Sequence, residues 1–173
     1  MKTPLVPATL ALCASYAVGL ASPLVATAAD LSNELDWNGG IAAGSTLTVV
    51  DPHGDIFVQR SDDKGISVRA LVRSGDASRV ALKPTANGRD LTLCTALPDV
   101  PASCDTSAGR ASARDVAAAS AYKVDELILV PAGVRVVVRG TVGKIVVEDT
   151  PGADATTIDG DVHVSLVKTV SQV

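Results

Sequence analysis

The chain has 173 residues, with 15 Lys and Arg against 19 Asp and Glu for a formal net charge of −4. No basic stretch gathers on any one segment, so nucleic acid and anionic membrane surfaces are poor partners. An aromatic content of 2% excludes an outer-membrane barrel, which needs aromatic girdles at both interfaces. It also weighs against sugar or single-strand grooves that stack ligands on rings.

Residues 1–29 read as a signal peptide. Lys2 opens a segment that is mostly apolar from Leu5 to Leu20, Pro23 breaks it, and Ala26-Thr27-Ala28 offers the small-x-small pattern of a cleavage site. Cleavage is expected just after Ala28, with Ala29 as the near alternative. The apolar run is Ala-rich, interrupted by Pro7 and short of the roughly 20 residues of a spanning helix, so no stable membrane span is expected after signal removal. Cys13 follows the bulky Leu12 inside that run, which argues against lipidation. About 145 residues remain, one ordinary domain with enough core to need no metal for stability. Removing Lys2 leaves 14 basic residues against 19 acidic ones, a net of −5.

Residues 30–44 read as an irregular lead-in, with Trp37 expected to plug one end of a β-stack. Residues 45–173 then read as a single β-strand-repeat domain. The same phrase recurs in Gly54-Asp55-Ile56-Phe57-Val58, Gly143-Lys144-Ile145-Val146-Val147 and Gly160-Asp161-Val162-His163-Val164. Each is a glycine corner, a polar residue and a β-branched pair at strand spacing. Strands are expected at 46–50, 55–59, 66–72 and, more weakly, 79–83. Asn87-Gly88 signals a tight hairpin into Leu91-Thr92-Leu93. Small residues without a sustained period dominate 98–121, which reads as a loop insertion. Further strands follow at 125–130, 134–139, 143–148, 156–158 and 161–167, with Val134, Val136 and Val138 facing inward. Short strands at this spacing mean an all-β fold, a β-solenoid-like stack or, as the alternative, an antiparallel β-sandwich. Lys168, Ser171 and Gln172 are placed to blunt an open edge.

Cys94 and Cys104 are the only cysteines after the signal. In an exported chain such a pair is expected as a disulfide, and closing a loop of about ten residues stabilises by roughly 3 kcal/mol. Chemistry is hard to find. There is no Gly-x-Ser-x-Gly elbow. Ser61-Asp62-Asp63-Lys64 matches a Ser-x-x-Lys pattern but sits on a turn. Gly140-Thr141-Val142-Gly143-Lys144 is too short for a phosphate loop and runs into a strand. His53 and His163 each lie beside a Gly-Asp corner. Together with Asp55 and Asp161 they would make a metal or catalytic constellation only if the corners brought them into contact. Asp154, Asp159 and Asp161 match calcium-binding solenoids only loosely, because the glycine-rich nonapeptide is absent. Asp at corners is explained by turn chemistry alone.

The layout resembles a bacterial family of exported proteins with a β-strand-repeat domain of unknown function, commonly labelled "putative adhesin". The residues that carry the resemblance are Gly44-Ser45-Thr46-Leu47-Thr48-Val49, Gly54-Asp55-Ile56, Leu127-Ile128-Leu129-Val130-Pro131-Ala132-Gly133 and Gly160-Asp161-Val162. It covers roughly residues 40 to 173, and the 98–121 insertion with its cysteine pair departs from it. The resemblance implies an open β-solenoid-like stack in the cell envelope and brings no catalytic residues with it. The expectation is a non-enzymatic exported protein, periplasmic or on the cell surface, without a cofactor. It would act by binding or structural interaction with an envelope protein or surface polymer. The alternative is an envelope polysaccharide hydrolase or lyase using carboxylates at strand corners.

Overall fold

The computed structural model describes residues 33–98 and 119–166, together with Val100, Cys104 and Ala117. The signal peptide expected over 1–29 and the edge residues Lys168, Ser171 and Gln172 lie outside them. The strands in chain order are β1 (Glu34–Gly40), β2 (Thr46–His53), β3 (Ile56–Ser61), β4 (Gly65–Ser74), β5 (Ala81–Asn87) and β6 (Asp90–Ala96). After the insertion come β7 (Lys123–Pro131), β8 (Arg135–Val142), β9 (Ile145–Thr150), β10 (Ala153–Thr156) and β11 (Val162–Leu166).

These strands make an all-β fold of two sheets, ordered β1-β4-β7-β3-β9-β11 and β10-β8-β2-β6-β5. Both are mixed. β7, β3, β9 and β11 run parallel, as do β6, β2, β8 and β10. Only β1–β4–β7 and β5–β6 pair antiparallel. The antiparallel sandwich is therefore excluded as a description of these sheets.

The parallel pairing follows from what the glycine corners do. Gly54 and Asp55 carry the chain from β2 in one sheet to β3 in the other, and Gly143 and Lys144 do the same between β8 and β9. A two-residue link that changes sheets cannot make a hairpin, so each strand pair must lie beside the equivalent pair of another corner. Backbone hydrogen bonds bind the corners together: Gly54 N donates to Val142 O (3.0 Å), Ile56 N to Lys144 O (2.8 Å) and Ile145 N to Asp161 O (2.8 Å). A Cβ on Gly143 would land on the carbonyl oxygen of Gly54, and one on Gly160 on the carbonyl oxygen of Gly143. The corner glycines thus form a column in which backbone packs directly on backbone. Gly143 also has φ +135°, a conformation L side chains rarely adopt.

Between the sheets lies a core of alternating residues, including Leu47, Val49, Ile56, Val58, Ile128, Val130, Val134, Val136, Val138, Ile145 and Val147. The inward reading of Val134, Val136 and Val138 holds, with each fully buried. Val162 and Val164 continue the inward columns of Ile145 and Val147. Because β11 is the outermost strand of its sheet, they stay 44% and 38% exposed.

Several expectations need correction. The lead-in is not irregular: Glu34–Gly40 is a strand paired with β4, because Leu35 and Trp37 alternate with polar residues and pack half-buried against core. Residues 79–83 are split between a 3₁₀ turn, Ala77–Arg79, and the start of β5, since Asp76 caps Ser78 through its side chain (3.0 Å). The hairpin expected at Asn87-Gly88 is present, joining β5 to β6. Asn87 pairs with Asp90, and Gly88 alone takes positive φ (+65°), as expected when glycine is the first central residue of a type II′ turn. β10 is Ala153–Thr156 rather than 156–158, leaving Ile158 exposed.

The insertion contributes more than a surface loop. Val100 and Ala119 are buried with Leu97, Tyr122, Val124, Ala70, Val72 and Val80 in a second core cluster. Cys94 and Cys104 are bonded, with Cα atoms 5.3 Å apart, and Cys94 is itself buried on β6. The disulfide therefore ties the insertion to an interior strand.

Candidate functional site

The corner residues were the sequence's candidates for chemistry, and the fold gives Asp55 and His53 structural partners instead. Asp125 Oδ1 accepts the Asp55 N–H (3.1 Å), and Asp55 Oδ1 accepts the Lys144 N–H (2.9 Å). Each carboxylate thus closes the neighbouring corner. Lys123 Nζ lies 3.2 Å from Asp55 Oδ2 and 3.6 Å from Asp125 Oδ1, and Arg73 Nε lies 2.7 Å from Asp125 Oδ2. The Lys144 N–H, helped by Lys123, holds the Asp55 carboxyl below its usual range, and the bond to Asp55 raises Lys123.

His53, Asp55, Asp161 and His163 do not come together. His53 Nδ1 faces the Ala119 carbonyl oxygen (3.2 Å). His163 is exposed on β11 beside Val146. The Lys144 corner stands between those of Asp55 and Asp161, a separation of about two strand spacings, or roughly 9–10 Å. Among the described residues no group of three or more His, Cys, Asp or Glu is placed to hold a metal ion.

Two features went unseen in the sequence. The first is a polar cluster between the sheets: Asp51 on β2, Thr95 on β6 and Glu126 on β7, with 1%, 0% and 1% exposure. Thr95 Oγ1 donates to Glu126 Oε1. Asp51 Oδ1 accepts the His53 N–H (3.1 Å). Asp51 Oδ2 and Glu126 Oε2 have no protein partner. Burial pushes the Glu126 carboxyl up to about 7, against the Thr95 hydrogen bond. Asp51 is raised well above its ordinary value, by burial first and then by the charge of Glu126. Strand alternation carried this signal, since Asp51 continues the inward series Leu47, Val49, and Glu126 sits between Val124 and Ile128. Asp51 also opens Asp51-Pro52-His53-Gly54, a sequence that turn chemistry explains equally well.

The second feature is on the outer face of the six-stranded sheet. Phe57 on β3 pairs in register with Leu127 on β7 on one side and Val146 on β9 on the other. Phe57 and Leu127 are 39% and 40% exposed, on strands interior to the sheet. The row is flanked by the Arg69–Asp36 ion pair (3.4 Å) and by Gln59 donating to Glu148 Oε2 (3.1 Å). A side chain on a central strand cannot be left exposed by fraying, so Phe57 and Leu127 form a built apolar pair with a polar rim, beside buried Val146.

Among the described residues no helix is long and apolar enough to cross a membrane. No family model matches the chain, and no curated protein matches it. Among solved structures it is similar to a "putative cell adhesion protein" from Clostridium sporogenes, at 11% identity and TM-score 0.47 over 77% of this chain and 60% of that one. It is also similar to a "putative adhesin" from Bacteroides fragilis, at 12% identity and TM-score 0.37 over 78% of this chain and 54% of the other. A "putative adhesin" from Parabacteroides distasonis matches at 11% identity and TM-score 0.26, over 79% and 76%. The chain spans 60% and 54% of the length of the first two.

Proposed function

We propose that the chain is a non-enzymatic, exported envelope protein whose adhesin-like β-repeat domain binds a partner through the outer face of the six-stranded sheet. The observation that carries this reading is the Phe57–Leu127 pair, apolar, exposed, in register and held on interior strands, with buried Val146 completing the row. Exposed apolar rows rimmed by polar residues mark interaction surfaces. The parallel stacking of strand pairs at glycine corners supports a short β-solenoid as the scaffold, a form that offers flat repeated faces. The Cys94–Cys104 disulfide supports an oxidising, extracytoplasmic location, periplasmic or at the cell surface. The partner class is an envelope protein or a surface polymer, with no cofactor involved.

The test is crosslinking in the envelope followed by affinity capture, comparing the wild type with Phe57→Arg/Leu127→Arg. The reading expects a discrete partner captured by the wild type and lost from the variant, with unfolding midpoints of the two within the range of ordinary surface substitutions. Equal capture by both proteins would overturn the assignment of the face. Turnover of envelope polysaccharide by purified protein, lost in Asp161→Ala, would overturn the non-enzymatic reading.

A further inference from the structure

Burying two acids of like sign in one core needs a reason. Asp51 and Glu126 enter from opposite sheets, both with 1% exposure. Replacing either by an apolar residue would relieve an unpartnered oxygen, Asp51 Oδ2 or Glu126 Oε2, which is a standing cost in a dry interior. Their location is specific. Glu126 is the fourth residue of β7, a few residues beyond the buried end of the insertion at Ala119 and Tyr122. Asp51 lies on β2 just before His53, whose ring meets the Ala119 carbonyl. The pair therefore sits where the returning arm of the insertion, Ala119 to Glu126, is fastened across to β2 and β6.

We infer that Asp51 and Glu126 form a proton-operated latch that holds this arm while both carboxyls are neutral and loosens it when they ionise. A closed latch needs the neutral state, because both carboxyls are buried in one core and like charges there repel. The charged and titratable groups around the pair confirm how lopsided the site is. On β2 there is His53; on β7 and at its start, Asp125 and Lys123; at the adjoining corners, Asp55 and Lys144; on β4, Arg73. Of the nearby cations, Lys123 and Arg73 are engaged with Asp55 and Asp125 and Arg79 with the Tyr122 hydroxyl (3.5 Å); the Lys144 side chain belongs to the exposed corner, and Arg139 on β8 is in register with Val50, whose side chain alternates away from that of Asp51. Thr95 supplies only a neutral hydroxyl. Asp55 and Asp125 add further negative potential at Asp51. Rising pH therefore acts on a cluster that can only repel itself.

The consequence is local opening, not global unfolding. Most of the main core, from Leu47 through Val136 to Val147, lies outside this cluster. Local openings of this kind are read by amide exchange. The test is hydrogen exchange of the disulfide-bonded protein at pH 5 and pH 8.5, corrected for intrinsic rates, with the amides of Val136 and Val138 as internal reference. Protection at 122–126 relative to that reference should fall by about tenfold or more for the wild type, as one unit of pH above a titration implies. Asp51→Asn/Glu126→Gln should show a ratio that does not change with pH. If the double variant does not fold, the two single variants serve, each expected to reduce the change. His53→Gln should keep the wild-type response. An unchanged wild-type ratio would overturn the latch, as would a response that survives in the Asn/Gln variants or disappears in His53→Gln.

Discussion

Replacing Gly143 by alanine perturbs the stacked corners at one point and leaves every side chain in place. The new Cβ would collide with the Gly54 carbonyl oxygen, a backbone atom that cannot turn aside as a side chain would. Alanine must also adopt φ near +135°, which costs about 1–3 kcal/mol. Relief requires the corner to move, weakening the hydrogen bonds from Gly54 N to Val142 O and from Ile56 N to Lys144 O. Each contributes about 1 kcal/mol. The sum is about 3–5 kcal/mol. With a urea slope of about 2 kcal/mol/M the unfolding midpoint should fall by roughly 2 M. Gly40→Ala is the matched control, since a Cβ there meets nothing within 4 Å, and it should stay within about 0.5 kcal/mol of wild type. A Gly143→Ala protein less than about 1 kcal/mol below wild type would refute the backbone-on-backbone account of the corner.

Stability should fall as pH rises. The folded state keeps a proton on Glu126 up to about 7, whereas the unfolded chain releases it near 4.5, so the folded state binds more protons across that window. The contribution is fully present below pH 4.5 and lost through pH 7, a difference of about 3 kcal/mol. Chemical denaturation at pH 4.5 and 8.5 checks it, and Glu126→Gln should reduce the slope, with buried Asp51 carrying the rest, and exceed the wild type at the higher pH. A wild type more stable at pH 8.5 would contradict the burial argument. Reducing the Cys94–Cys104 bond, whose cysteines are 10 residues apart, should destabilise by about 3 kcal/mol, read as a shift in urea midpoint with and without reductant. Ile128→Ala removes a fully buried side chain from the main core and should cost about 2–5 kcal/mol. Val164→Lys, on the exposed outermost strand, should cost under about 1 kcal/mol by the same measurement.

Much of the scaffold was legible in the residues. The Gly-Asp and Gly-Lys phrases located the corners, and alternation in Val134, Val136 and Val138 named the inner face. What the repeat could not give was strand order. β2 is flanked by β6 and β8, and β3 by β7 and β9, so the first corner pair sits in the middle of both sheets, set by long-range packing that no local pattern encodes. Trp37 was expected to plug one end of a β-stack, and its place in a strand was not legible, because its pairing depends on β4. The insertion's role in a second core depends on the disulfide and on Tyr122. Asp51 and Glu126 were visible in the period-two pattern, yet Asp51 stands in an Asp-Pro-His-Gly sequence that turn chemistry also explains. Phe57 was legible as a strand residue. Its exposure was not, since facing direction in a parallel sheet depends on which sheet lies behind.

The most direct measurement of the central claim is the set of through-hydrogen-bond scalar couplings between backbone nitrogens and carbonyl carbons in labelled protein. Donor–acceptor pairs Ile56–Lys144, Ile145–Asp161 and Glu126–Asp55 should each give a cross-peak, placing three separate corners side by side in parallel. Cross-peaks that instead joined β2 to β3, or β8 to β9, as hairpin partners would show the corners folding the chain back on itself and would contradict it.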